Sequence, residues 1–257
     1  MQDRYTGDVG DFGKYGLLRA LRLGPRRSFR LGVVWYLVIG PENNGDGRHL
    51  SYLSDKHRSS YEPCDWDLFG ALSAVIKAGV RSVHCIEQGG LLGADTVFFQ
   101  EPLTWHRGQV ILREQTRRDW LDRALRTTQA CDLVFLDPDN GLARGDWPAS
   151  RRRLLGVSGP KYVGLSEVKA FFAQGHSVVL YHHLNRLRRH RDQAEELIVG
   201  LRGEVSPDAF GFWFRRGSGR VFAVLPTVEH APALRERAKG FASGPWVAHG
   251  HFRPIGL

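Results

Sequence analysis

Cysteine is scarce in this 257-residue chain. Cys64, Cys85 and Cys131 stand far apart with no Cys-x-x-Cys pair, which excludes a disulfide framework and a cysteine zinc site. Long apolar runs are missing as well. Stretches such as Val178 to Tyr181 are far too short to cross a membrane, and no hydrophobic leader core follows Met1, so the sequence predicts a cytoplasmic protein with no membrane partner. It has no internal repeat, no low-complexity segment and no Gly-x-Gly-x-x-Gly fingerprint, and the C-terminal tail with Trp246, His249 and His251 lacks metal-ligand spacing. Oligomeric state is left open.

Basic charge is present in excess. Against 27 Asp and Glu stand 36 Lys and Arg, a formal charge of +9 that favours a polyanionic partner such as a nucleic acid. The densest cluster, Arg151, Arg152 and Arg153 with Lys161 following, reads either as a phosphate-binding rim or as a solvated loop. The length suits one large domain.

Leu133 to Leu136 is a four-residue apolar run that predicts a strand buried on both faces, and it ends in the turn formers Asp137, Pro138, Asp139, Asn140 and Gly141. Ligands of open α/β sheets sit beyond the carboxyl ends of the strands, so Asp137, Asp139 and Asn140 are candidate catalytic residues. Near the N-terminus, Gly7, Gly10, Gly13 and Gly16 recur every third residue, interleaved with Asp8, Asp11 and Lys14. They read as a loop approaching a ligand, with tight helix packing as the alternative.

The rest of the pattern alternates strands with helices. Tyr15 to Leu23 is helical; Leu31 to Ile39 is a buried strand, followed by a polar loop from Gly40 to Gly47; Arg48 to Gly79 is a helical excursion in which Asp65 caps a helix. Ser82 to Ile86, Thr96 to Gln100 and Gln109 to Leu112 read as short strands, and Glu101 closes the second of these as a candidate ribose acceptor. Helices follow at Thr116 to Ala130, at Ser166 to Gln174 with Ser166 as cap, and at Arg188 to Leu201. The strand from His176 to Tyr181 runs into His182 and His183, of which at most one faces a site shared with Asp137, because neighbouring strand residues point to opposite sides. Two apolar runs flanking Arg216-Gly217-Ser218-Gly219 predict a hairpin.

These elements outline an α/β protein: five α/β units forming a Rossmann-like, methyltransferase-type sheet with a terminal antiparallel hairpin and a helical insertion over 41–80. On these residues the chain resembles the large-subunit ribosomal RNA adenine-N6 methyltransferases of the RlmJ type. Gly7, Asp11 and Lys14 match that family's Gly-x-x-x-Asp-x-x-Lys segment, Glu101 its acid after the second strand, and Asp137 to Asn140 the place of its Asp-Pro-Pro-Tyr-type motif. The resemblance implies S-adenosylmethionine as cofactor and a nucleic acid or other anionic substrate. It places Asp11, Lys14, Glu101 and Asp137 at the cofactor, with Lys14 near its carboxylate, Glu101 on its ribose and Asp137 at the methyl-transfer centre. Asp139, Asn140 and His182 then position or deprotonate the acceptor.

Two other classes fit the same residues. A metal-dependent nuclease or phosphodiesterase would use Asp137, Asp139 and His182 or His183, with Glu167-x-Lys169 completing a nuclease-like pattern. A non-catalytic nucleic-acid-binding protein on the same fold is the third.

Overall fold

The computed structural model describes residues 2–25, 27–39, 47, 49–105, 110–145 and 147–257, and the expected ligand loop from Gly40 to Gly47 lies, apart from Gly47, outside them. Strands run in chain order as β1 (Leu31–Val34), β2 (Val97–Phe99), β3 (Leu133–Leu136), β4 (Gly141–Leu142), β5 (Tyr162–Val163), β6 (Ser177–His183), β7 (Phe210–Phe214), β8 (Arg220–Leu225) and β9 (Phe252–Ile255). Helices are α1 (Val9–Arg22), α2 (Asp55–Tyr61), α3 (Trp66–Lys77), α4 (Val83–Gln88), α5 (Val110–Thr128), α6 (Trp147–Leu155), α7 (Leu165–Ala173), α8 (His190–Glu204), α9 (Ala231–Ala242) and α10 (Pro245–Ala248).

Seven strands form one sheet in the order β2-β1-β3-β6-β8-β7-β9, while β4 and β5 make a separate parallel ribbon. The pairs β2·β1, β1·β3 and β3·β6 are parallel, and those involving β8 and β9 are antiparallel. This is an α/β, Rossmann-like architecture. The expected hairpin is β7–β8, and its return strand docks against β6. Strand β9, unread in the sequence, closes the edge, where Pro254 forfeits no central ladder bond.

Side-chain alternation sorts the core into two layers. Val33, Leu133, Phe135, Val179 and Tyr181 face α1, α3 and α9; Val34, Val134, Leu136, Val178 and Leu180 face α5, α7 and α8. Both layers are closed by helical stripes, Phe12, Leu17 and Leu21 on one side and Trp120, Phe171 and Leu197 on the other. This two-sided burial is why the central strands read as unbroken apolar runs.

Gly10, Gly13 and Gly16 lie inside α1, not in a ligand loop. A methyl group at these positions would overlap the Arg220 guanidinium, the Phe214 ring and the Trp246 ring respectively, so tight packing of α1 on the hairpin and C-terminal helix is what their spacing encodes. Ser82 to Ile86 is also helical: Ser82 Oγ accepts from the His84 N–H, and Val83 and Ile86, three apart, are both buried in α4. Val110 to Leu112 opens α5 with its apolar side chains exposed, in place of the expected short strand. The first strand stops at Val34, five residues short of its expected end. Helix α7 starts at Leu165, where the Glu167 carboxylate accepts from the Gly164 N–H, in place of a Ser166 cap. Asp65 caps α3 as expected, accepting from the Leu68 N–H at 3.0 Å.

Candidate functional site

Asp137 is the first residue beyond β3, and alternation returns it to the α1 side of the sheet. There Lys14 Nζ donates to Asp137 Oδ2 at 2.7 Å and to Asp11 Oδ1 at 2.8 Å. The second Asp11 oxygen accepts from the Gly7 N–H at 3.0 Å and the Tyr15 hydroxyl at 3.1 Å. Asp8 caps α1 by accepting from the N–H groups of Gly10 and Asp11 at 2.7 and 3.0 Å. Lys14, Asp11 and Asp137 are each at most 3% exposed. Burial opposes the Lys14 charge, but Asp11 and Asp137 outweigh it and raise the ammonium pKa. Burial also raises the Asp137 pKa, with Lys14 pulling the other way. Strand β1 neighbours β2 on one side and β3 on the other, so this pair sits at the topological switch point of the sheet.

The turn after Asp137 is held by the β4–β5 ribbon. Asn140 N–H donates to the Lys161 carbonyl at 2.9 Å, Asp139 Oδ2 accepts from Gln2 Nε2 at 2.5 Å, and Lys161 Nζ stands 3.9 Å from the same oxygen. The Asp139 pKa is lowered in spite of burial, with the Gln2 amide and Lys161 among the groups that favour its charge. Gly141 takes φ +87°, a conformation that side chains rarely adopt, and a Cβ there would overlap His182.

Alternation also decides between the two histidines. His182 falls on the α5–α7–α8 side, 7% exposed, and its Nδ1 accepts from the Leu142 N–H at 3.0 Å, bracing the turn from behind. Burial, followed by the Arg144 charge, depresses its pKa to about 3. The histidine facing the site is His183. Its pKa is lowered by burial and then by the charges of Arg220, His190 and Arg186, so the imidazole is neutral at neutral pH.

A cavity of about 480 Å³ opens over these groups, lined by Asp8, Asp11, Lys14, Asp137, Asp139 and Asn140 and closed on its far side by His183, Arg186, His190 and Arg220. Its size is that of an ordinary small-ligand site. Five expected residues therefore meet in one place: Asp11, Lys14, Asp137, Asp139 and Asn140. Glu101 lies apart on the surface, bonded to Arg123 Nε at 2.6 Å, and does not line the cavity. Arg151 bonds Glu114 at 2.6 Å and Arg153 lies over the Tyr162 ring; neither is part of the cavity wall.

Sequence reading missed Arg186, His190 and Arg220 as site residues, whereas Asp8 was read among the N-terminal glycines and Lys161 after the arginine cluster. The nuclease-like pattern is dispersed: Glu167 is buried against Arg117 at 2.5 Å, with the Tyr36 hydroxyl donating to it at 3.1 Å, while Lys169 pairs with Glu204 on the surface. Among the described residues no group of three or more His, Cys, Asp or Glu is placed to hold a metal ion, and no helix is long and apolar enough to cross a membrane.

Fold and site together define a Rossmann-like α/β protein with a polar cavity at its switch point. Compared with protein-family models and with curated proteins, the chain has no significant match.

Proposed function

We propose that the protein is an S-adenosylmethionine-dependent methyltransferase acting on a nucleic acid or other anionic substrate held in this cavity. The observation that carries the reading is the buried Lys14–Asp137 pair at the carboxyl end of β3, opening into a cavity walled by Asp139, Asn140 and His183. The hairpin order at the end of the sheet supports it.

The donor set suits the amino-acid end of the cofactor, which carries one carboxylate and one ammonium: Lys14 meets the first, Asp137 and Asp11 the second. Glu101 does not fit the ribose, since its carboxylate faces Arg123, and no ribose contact is assigned to it. When bound, the cofactor supplies a methyl group on a sulfonium centre. The chain's own work is orientation and proton handling. Asp139 and Asn140 hold the acceptor by hydrogen bonds, in place of the proline and aromatic ring of the family motif, and the neutral His183 imidazole takes the proton that the acceptor nucleophile sheds. His182 holds the Gly141–Leu142 backbone, and through it the position of Asp139 and Asn140.

Titration calorimetry with S-adenosylmethionine tests the reading. The wild-type protein binds the cofactor, and the isosteric Asp137→Asn weakens binding at least tenfold. No binding heat and no competition at millimolar cofactor would overturn the proposal.

A further inference from the structure

The cavity has two chemically different walls. The carboxylates on the α1 and β3 side each have a partner within the chain: Asp11 and Asp137 share Lys14, Asp8 accepts from the α1 backbone, and Asp139 accepts from Gln2 with Lys161 nearby. The opposite wall, built from the end of β6, the β7–β8 turn and the start of α8, is cationic, and its guanidiniums form no ion pair with a described carboxylate.

Arg220 is 7% exposed; among the described residues its side chain hydrogen-bonds to Ser218, through the carbonyl at 3.3 Å and Oγ at 2.8 Å, and lies over the Tyr181 and Phe214 rings. No described carboxylate forms an ion pair with it; Asp8, close by across Gly10, is the carboxylate on which its charge acts, and burying a guanidinium without a direct ion-pair partner is costly. Arg186, exposed at the cavity mouth, makes no hydrogen bond or ion pair with any described residue. His190, the first residue of α8, lies against Gly219 so closely that a side chain there would overlap its ring. His183 is the point on this wall where the charges of Arg220, His190 and Arg186 act, with Asp139 opposing them, and all five residues line the same cavity. Glycines at 217 and 219 keep the β7–β8 turn clear of that point.

We propose that this wall, Arg186 and Arg220 with His190, is a phosphate-binding subsite, so that the substrate is a nucleotide unit. Its phosphate lies against the β6–β8 wall and its nucleophilic edge is directed at Asp139 and Asn140. Two guanidiniums and one imidazole around one oxyanion supply several charge-assisted hydrogen bonds, and a doubly or singly charged phosphate neutralises the wall. The assignment of the nucleophilic edge rests on the methyltransferase reading; the phosphate subsite itself does not.

The test is calorimetry without cofactor on the full chain, with adenosine 5′-monophosphate, adenosine and a five-nucleotide single-stranded RNA as probes. Adenosine 5′-monophosphate is expected to bind at least tenfold more tightly than adenosine, and Arg186→Ala, an exposed position that leaves the fold intact, is expected to remove most of that difference while leaving adenosine binding unchanged. Arg220→Lys, which retains a buried cation, is expected to weaken the phosphate preference in the same direction. An equal loss with the RNA assigns the wall to a backbone diester; a loss confined to the mononucleotide assigns it to a terminal monoester; either supports the subsite. Equal binding of adenosine and its monophosphate, or equal effects of Arg186→Ala on both, overturns it. Phosphate discrimination without cofactor binding would remove the methyltransferase reading and leave the subsite standing, and the converse result would do the reverse.

Discussion

Lys14→Met is the most informative perturbation of this molecule. Lys14 bridges Asp11 and Asp137 at 2.8 and 2.7 Å with its side chain 4% exposed, so methionine fills much the same space and leaves two carboxylates buried without their shared cation. Removing one partner of a buried ion pair costs about 3–5 kcal/mol. For a domain of this size that corresponds to a fall in Tm of roughly 6–20 °C, at about 2–4 °C per kcal/mol. The pH dependence is the more specific signature. Burial raises the Asp137 pKa and Lys14 opposes that rise, so in the variant the folded-state pKa climbs further. A carboxylate raised in the folded state contributes stability below its unfolded pKa of about 3.9 and loses it as pH rises through the folded value. The gap between variant and wild type should therefore narrow at pH 5 relative to pH 8, and Asp137→Asn added to Lys14→Met should recover stability at pH 8. Urea denaturation of the variants at both pH values reads this directly. A cost below about 1 kcal/mol, or a gap that does not change with pH, would refute the reasoning.

Three further outcomes are expected. Gly16→Ala should destabilise by about 1–3 kcal/mol in urea, because the new methyl group overlaps the Trp246 ring and outweighs the ~1 kcal/mol gained in helix propensity. With its folded pKa depressed to about 3, His182 contributes stability that is present above its unfolded pKa of ~6.5 and lost as pH falls from there toward 3; His182→Asn, which keeps an acceptor near the Nδ1 position, should flatten the acid limb of the stability profile over that window. Arg117→Ala strands the buried Glu167 and should cost about 3–5 kcal/mol, whereas Arg117→Met combined with Glu167→Leu should cost much less; equal costs would show that lost packing, not an unpaired charge, dominates.

Much of the architecture was legible because burial on both faces writes itself into composition. The runs Leu133–Leu136 and Val178–Leu180 have no polar alternation, and they became the central strands for that reason. Short segments were not legible. Ser82 to Ile86 has the residues of a strand, but without a neighbour to pair with, the Ser82 cap and the Val83 and Ile86 spacing settle it as helix. Val110 to Leu112 likewise became a helix start.

The turn from Asp137 to Gly141 and the Asp11–Lys14 pair could be picked out from the sequence alone, since turn formers ending an apolar run, and ionisable residues among glycines, are local signals. Which residues share the cavity with them was decided by the tertiary structure. His183 and not His182 faces Asp137 because strand alternation is counted from a register that only sheet pairing sets. Arg186, His190, Arg220 and Lys161 enter because strand order brings the hairpin beside β6 and the β4–β5 ribbon under the turn. The N-terminal glycines carry the clearest division. Their spacing is a property of the sequence, but its meaning, a helix face cut back to admit Arg220, Phe214 and Trp246, exists only once residues some two hundred positions away are packed against it.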